Sequence, residues 1–146
     1  MILGVVSDTH NRLSNVEKII DIFNEKNVDK VIHTGDITQA KTLSRFSRLN
    51  CPLIGVYGNN DLEEKGLKGI ARQNGFNFHN PPFLLTISNK KIAIFHEPED
   101  IKNFLKKESS VQLIIHGHTH RYRNEKMGDV KIINPGECAG IIKGKN

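Results

Sequence analysis

Asp, Asn and His side chains stand directly after the apolar runs of this 146-residue chain, where each run ends. Five runs, at residues 2–6, 31–32, 53–57, 91–95 and 111–115, are each followed in this way. The side chains concerned are Asp8, His10, Asp36, Asn59, His96, His118 and His120. Open α/β sheets bind ligands at the carboxyl ends of their strands, so the pattern predicts one shared site.

The mixture of side chains indicates the chemistry of that site. Two carboxylates, one amide oxygen and several imidazoles, without a thiolate, suit divalent Mn, Fe, Co, Ni or Zn. Seven candidate ligands exceed the needs of one tetrahedral zinc with an open position. They fit two ions about 3.5–4 Å apart that share a carboxylate, lower the pKa of a bridging water and neutralise charge on the attacking and leaving oxygens. The predicted reaction is hydrolysis by in-line attack of the activated hydroxide on phosphorus.

The elements that must position these residues alternate between strand and helix in the first half. Strands are predicted at residues 2–7, 31–32 and 53–57. The helix between the first two carries Val16, Ile19, Ile20 and Phe23 at helical spacing, and a second helix is predicted at about residues 39–49. This β-α-β-α-β order predicts a parallel sheet with right-handed crossovers.

The second half is richer in strand patterns. Residues 83–88 and 91–95 flank Asn89-Lys90, which is typical of a hairpin turn. A helix is predicted at about residues 100–108 and a buried strand at 111–115. Two further strands, near residues 121–126 and 130–133, flank a turn at 127–129. We therefore predict one α/β domain over residues 1–146, with a mixed or antiparallel second sheet.

Composition excludes several classes of protein. The net charge is +5 and the pI about 9.3, but lysines are scattered, which argues for a solvated surface and against a nucleic-acid-binding arm. Two cysteines exclude a disulfide scaffold and a Cys-ligated zinc ribbon. Because the first apolar run is short and reaches Asp8 at once, we expect it to be neither a secretory signal nor a membrane span. A cytoplasmic protein without a membrane partner is expected.

Short motifs built on these residues follow one another along nearly the whole chain. They are Ser7-Asp8-Thr9-His10, Thr34-Gly35-Asp36, Tyr57-Gly58-Asn59-Asn60-Asp61, His96, Gly117-His118-Thr119-His120 and Asn134-Pro135-Gly136-Glu137. In this order they resemble the calcineurin-like metallophosphoesterase superfamily, and within it the small single-domain phosphodiesterases of archaea and bacteria. The resemblance implies an α/β fold of two packed mixed β-sheets flanked by helices, acting on a small phosphodiester.

The resemblance also implies a division of the ligands between two divalent ions. The first ion would be held by Asp8, His10, Asp36 and His120. The second would be held by Asp36, Asn59, His96 and His118, with Asp36 as the bridge. Mn or Ni is the implied activating ion, with Fe, Co, Zn and Mg as the other candidates.

Three departures from the family pattern affect the expected activity. Asn60 stands where most members have His; an amide can donate a hydrogen bond to a phosphoryl oxygen but cannot act as a general acid, which favours good leaving groups. His96 is followed by Glu97-Pro98-Glu99-Asp100 where the family usually has Gly, and this acidic loop, stiffened by its proline, is expected to weaken anion binding there. The chain ends at Asn146, where relatives usually continue for another strand or two. We therefore expect one sheet edge that is either short or covered by a second copy of the chain in a homodimer.

Two other functions compete with this hypothesis. A non-catalytic scaffold, like the retromer subunit of this fold, would have lost metal ligands, whereas all seven positions are filled. A nuclease would need a basic groove beside the metals, where this chain has acidic residues.

Several of the single signals have a structural explanation as well. Asp36 could cap a helix, Asn59 could serve a turn, and Asp61 is expected to support its loop. His33, His116 and Cys138 receive no firm role, with packing as the simplest account.

Overall fold

The computed structural model describes residues 1–62 and 64–140. In it the chain forms two β-sheets with helices on their outer sides. The strands are β1 Leu3–Val6, β2 Lys30–His33, β3 Leu53–Val56, β4 Asn77–His79, β5 Phe83–Ile87, β6 Lys90–Ile94, β7 Leu113–Ile115, β8 Arg123–Met127 and β9 Val130–Asn134. The helices are α1 Leu13–Glu25, α2 Ala40–Arg45, α3 Leu67–Asn74 and α4 Ile101–Lys107, with a 3-10 turn at Phe46–Arg48 after α2.

The two sheets differ in strand direction. The first sheet has the order β1-β2-β3-β4 and is parallel throughout. The second has the order β5-β6-β7-β9-β8; its central strands β6, β7 and β9 run parallel, while β5 and β8 pair antiparallel at its edges. Two sheets flanked by helices are therefore confirmed, and of the two described sheets the second is the mixed one.

The core lies in three apolar layers. One layer packs α1, α2 and α3 against the first sheet, a second joins the two sheets, and a third packs α4 against the second sheet. Alternation along β1 shows how one strand serves two layers: Val6 belongs to the helix side and Val5 to the side between the sheets. This sandwich brings the carboxyl ends of strands from both sheets to one edge.

Helix α1 follows the predicted apolar spacing and has a defined end. Its buried residues Val16, Ile20 and Phe23 face the first sheet. At the C-terminus Asn27 adopts a left-handed φ of 51°. The Val28 amide donates to the Phe23 carbonyl at 3.2 Å and the Asn27 amide to the Asn24 carbonyl at 3.1 Å, the Schellman pattern that closes a helix.

Two elements lie where the sequence predicted none. Helix α3 is bounded by Gly66 and Gly75, both with positive φ, and is interrupted by Gly69, so its apolar pattern is weak. Strand β4 has only three residues. Within the described residues, no helix has both the length and the apolar character to cross a bilayer. The expectation about a short C-terminal edge concerns residues 141–146, which lie outside the described part of the chain.

Candidate metal centre

The loops that follow three strands, β1, β2 and β7, bring four of the predicted ligands together in a first cluster. One nitrogen or oxygen atom from each of Asp8, His10, Asp36 and His120 lies within 4.8 Å of the others. The two imidazole Nε2 atoms of His10 and His120 are 3.4 Å apart. His120 Nε2 lies 3.5 Å from Asp8 Oδ1, and His10 Nε2 lies 3.9 Å from Asp36 Oδ2. Imidazole nitrogens and carboxylate oxygens that converge on one point are the arrangement that a divalent cation requires.

A second cluster adjoins the first and shares Asp36 with it. Asp36, His96 and His118 again offer atoms within 4.8 Å of one another. His96 Nε2 lies 3.4 Å from Asp36 Oδ1 and 3.3 Å from His118 Nδ1. The Asn59 side-chain oxygen lies 2.8 Å from His96 Nε2 and 3.2 Å from His118 Nδ1. The structure thus brings all seven predicted side chains to one edge, in two groups that share one carboxylate.

The shared carboxylate, Asp36, is held in its ionised form. Burial opposes its charge, but the hydrogen bond and charge of His96 and the two donors of Asn60 outweigh this and lower its pKa below the usual value. The Asn60 backbone N–H donates to Asp36 Oδ1 at 3.0 Å, and its side-chain amide donates to Oδ2 at 2.9 Å. The described hydrogen bonds of Asn60 are therefore made to Asp36, the residue predicted to bridge the two ions. Burial lowers the pKa of His96, but the hydrogen bond and the charge of Asp36, together with smaller effects of Thr34 and Asp8, outweigh burial. The net shift of the His96 pKa is therefore upward.

Asp8 provides the test of whether these residues fit a metal. Its Oδ2 accepts hydrogen bonds from Ser7 Oγ at 2.6 Å and from the His118 backbone N–H at 3.1 Å. Its Oδ1 is buried, faces the first cluster and has no hydrogen-bond partner among the described residues. Burial raises the pKa of this carboxyl group. A buried carboxylate oxygen is costly without a partner, and a cation at the first cluster would supply one.

Backbone strain is concentrated at the same residues. Nine described residues other than glycine have positive φ, and five of them are predicted ligands. These five are Asp8 at 50°, His10 at 43°, Asp36 at 59°, His118 at 70° and His120 at 60°. A left-handed backbone costs roughly 1–2 kcal/mol for a residue with a Cβ. Strain of this kind persists at functional sites because the surrounding structure enforces it, which supports a functional reading of this edge.

Partners outside the two clusters orient the histidine rings. His96 Nδ1 donates to the Thr34 carbonyl at 2.7 Å, which leaves Nε2 facing the second cluster. His120 Nδ1 lies 2.8 Å from Glu137 Oε2, which turns its Nε2 toward the first cluster. Such partners fix the tautomer and ring orientation of metal-binding histidines. In the sequence, Glu137 belongs to the last of the motifs that carry the family resemblance, but the motif by itself assigns this carboxylate no role.

Two glycines allow loops from different strands to approach closely. A Cβ at Gly58 would collide with Asp36 Oδ1, and a Cβ at Gly117 would collide with Ser7 Oγ. The turn after β3 and the loop after β7 can therefore pack against the β1 and β2 loops only with glycine at these positions.

Asp61 holds two of the site loops together, as the sequence suggested. Its Oδ2 accepts from the backbone N–H groups of Asp36 and Gly58, both at 2.8 Å. Its Oδ1 accepts from the Thr38 N–H at 2.7 Å. A single buried carboxylate thus fixes the loop that carries Asp36 to the turn that carries Asn59.

The three residues left without a firm role are structural in character. His33 is fully buried; it accepts from the Gly35 N–H at 3.0 Å and contacts Thr9 Oγ1 at 3.1 Å, and burial lowers its pKa to about 3. Burial, together with the Arg123 charge, lowers the pKa of His116 below its usual value. Burial raises the pKa of the Cys138 thiol to about 11, so this group is not a thiolate nucleophile at neutral pH.

Comparison with known proteins gives full-length matches. A model of the calcineurin-like phosphoesterase superfamily domain matches residues 1–146. Phosphodiesterase MJ0936 of Methanocaldococcus jannaschii is 38% identical over 146 residues, which cover 99% of this chain and 88% of that protein. The solved structure of a novel archaeal phosphodiesterase superposes with a TM-score of 0.88 at 38% identity, with 99% of this chain and 88% of that chain covered.

More distant structures show the shared fold. YfcE, a phosphoesterase from E. coli, superposes with a TM-score of 0.74 at 22% identity, with 100% of this chain and 84% of that chain covered. Vps29 of Entamoeba histolytica, solved with Zn²⁺, superposes with a TM-score of 0.72 at 23% identity, with coverage of 96% and 76%.

Proposed function

The chain belongs to the calcineurin-like phosphoesterase superfamily, and from that membership we propose that it hydrolyses small phosphodiesters with the help of two divalent metal ions. One observation carries the proposal: two clusters of ligand-type side chains share the carboxylate of Asp36 at a single edge of the sandwich. Two ions that share a carboxylate are the arrangement used for in-line displacement at phosphorus.

Each of the seven predicted ligands has a place in this proposal. Asp8, His10, Asp36 and His120 would hold the first ion. Asp36, Asn59, His96 and His118 would hold the second. When bound, the ions would lower the pKa of a water molecule and neutralise the developing charge on the phosphoryl oxygens.

Asn60 has a supporting role in the same proposal. One N–H of its side-chain amide donates to Asp36 Oδ2, and the amide carries a second N–H. We propose that this second N–H donates to a phosphoryl oxygen of the substrate. Because an amide N–H is too weakly acidic to transfer its proton, the leaving group must depart without a general acid at this position, which favours esters with good leaving groups.

The proposal also specifies the activating metal and a cytoplasmic location. Imidazole, carboxylate and amide ligands suit divalent Mn, Fe, Co, Ni and Zn alike. Among these ions we propose Mn²⁺ and Ni²⁺ as the activating ions because the resemblance to the small phosphodiesterases of the superfamily implies them. Cys51 and Cys138 are free thiols, which agrees with the reducing environment of the cytoplasm.

The experiment that tests this function is turnover after metal depletion. The protein is stripped with a chelator and supplied in turn with Mn²⁺, Ni²⁺, Mg²⁺ or Zn²⁺. Bis(p-nitrophenyl) phosphate serves as the diester and p-nitrophenyl phosphate as the monoester. We expect metal-dependent cleavage of the diester, with the monoester a poorer substrate.

Two variants of the same type control this experiment. Asp36→Ala removes the shared carboxylate and is expected to abolish turnover. Asp129→Ala removes an exposed carboxylate in the turn between β8 and β9 and is expected to leave turnover unchanged. Absence of turnover with every ion, while two ions still bind, would contradict the proposed activity and favour a scaffold instead.

A further inference from the structure

A cleft of about 600 Å³ opens directly beside the second cluster. Asn59 and His96 line both the cleft and the cluster. Ligand pockets for small organic groups have volumes of this order. A phosphodiester whose phosphorus lies at the metal centre would therefore have this space next to one of its two ester groups.

The wall of the cleft is mainly apolar. Its apolar side chains are Tyr57, Leu62, Pro81, Pro82, Phe95 and Phe104. Phe95 and Phe104 pack edge to face with their ring centroids 5.1 Å apart, which gives a firm aromatic surface. Leu62 is 63% exposed, and among the large exposed hydrophobic residues of the described chain it is the one that lines this cleft.

The charged groups at the cleft are predominantly acidic. Glu97 and Asp100 line it together with one basic side chain, Lys107. An ester group that carried its own phosphate or carboxylate would meet a net negative charge at the cleft. Because both carboxylates are exposed, this repulsion is modest and is screened by salt.

We propose that this cleft receives an uncharged, apolar and preferably planar ester group of the diester, an inference that rests on the proposed phosphodiesterase function. The metal centre binds the phosphate common to all diesters, whereas the cleft selects among their organic groups. Its substrate class is thus a diester with one neutral aromatic or similarly flat group, and diesters whose organic groups carry a further anion are disfavoured.

A pair of leucine variants tests the apolar part of the inference. Leu62→Ala shortens an exposed side chain in the cleft, and Leu84→Ala makes the same change on β5, outside the cleft lining. Both leucines are exposed, so both variants are expected to fold. Leu62→Ala should lower kcat/KM for bis(p-nitrophenyl) phosphate by roughly fivefold to tenfold, because its apolar contact with the ester group is lost. Leu84→Ala should not change it.

A binding measurement separates failure of the inference from failure of the enzymatic function. Nitrobenzene, a neutral planar probe, is titrated into the metal-free protein with NMR-labelled leucine methyl groups. We expect the Leu62 methyl signals to shift and the Leu84 signals to stay in place. If the wild type turns over but the two leucine variants behave alike and neither leucine shifts, the cleft inference is overturned while the function stands. If no ion supports turnover, the function fails, and the Leu62 shift alone then decides whether the cleft binds aromatic groups.

A charge variant tests the discrimination against anionic ester groups. Asp100→Asn removes a negative charge from the cleft, and Asp129→Asn removes one from the turn between β8 and β9, outside the cleft lining. The first should raise kcat/KM for bis(4-carboxyphenyl) phosphate relative to bis(p-nitrophenyl) phosphate by about twofold to threefold at low salt, and less at high salt because ions screen the charge. An equal effect of both variants would mean that overall charge, and not the cleft, controls the preference.

Discussion

The carboxylate of Glu137 contacts His120, one of the candidate ligands of the first cluster. It lies 2.8 Å from Nδ1 of His120 and is itself buried. Replacement by Gln keeps the shape but loses the charge that strengthens the imidazole as a ligand. Outer partners of this kind typically contribute 10- to 100-fold in metal affinity. We expect Glu137→Gln to weaken Mn²⁺ binding at one of two sites by about that factor, as measured by calorimetric titration. Glu25→Gln, on the exposed end of α1, is the matched control, and equal affinities in both variants would contradict this role.

His33 gives the protein a defined pH dependence of stability. Burial lowers its pKa from 6.5 to about 3 in the folded state, while the unfolded chain keeps the ordinary value. Between these pH values only the unfolded state takes up the proton, so the free energy of unfolding falls as the pH falls, by about 1.4 kcal/mol per unit. Above about pH 6.5 His33 is neutral in both states, so this proton uptake no longer lowers the free energy of unfolding.

Urea unfolding of the wild type and His33→Asn at several pH values between about 4 and 7 measures this effect. The variant should be less stable at pH 7, because it loses packing against Phe46 and the contact with Thr9. Its stability should also depend less steeply on pH, by about one proton. Parallel curves for the two proteins would show that His33 is not the group responsible.

At the scale of elements, Asp61 joins the loops after β2 and β3. All three described hydrogen bonds to its carboxylate come from backbone N–H groups, and the residue is 3% exposed. In Asp61→Asn one acceptor oxygen becomes an NH₂ group that faces a backbone donor. A buried group left without a partner costs about 1–3 kcal/mol, and we expect a loss of that size in the free energy of unfolding. Urea denaturation measures it, with the exposed Asp129→Asn as a control expected to stay within about 0.5 kcal/mol. A loss no larger than in the control would contradict the role.

The elements also show what the sequence could and could not predict. Strong apolar periodicity identified α1, and alternation of strand and helix identified the parallel first sheet. Helix α3 and strand β4 escaped prediction because Gly69 weakens the helix and β4 is three residues long. The seven candidate ligands could be predicted from their positions directly after the apolar runs, because the carboxyl ends of parallel strands meet at one edge of a sheet. The contact between His120 and Glu137 could not be predicted, because it depends on the register of two loops and no local pattern encodes it.

At the scale of the whole molecule, the metal centre joins the two sheets. The first cluster combines Asp8, His10 and Asp36 from the first sheet with His120 from the second. In the second cluster, residues after β2 and β3 meet residues after β6 and β7. Each ion would therefore link the sheets across the apolar layer between them. Because the ligands come together only in the folded chain, metal binding should stabilise the folded state as a whole.

Thermal unfolding with and without Mn²⁺ tests this coupling. At about 100 times its dissociation constant, each bound ion should add about 2.7 kcal/mol to the free energy of unfolding. For a chain of this size that corresponds to a rise in Tm of roughly 5–10 °C per ion. Asp36→Ala, which removes a ligand of both clusters, should lose most of the rise, whereas Asp129→Ala should keep it. Hydrogen exchange should slow in the loops of both sheets when the ions bind. An unchanged rise in Asp36→Ala would place the stabilising ions elsewhere on the protein, and slowing confined to one sheet would mean that the ions do not join the two.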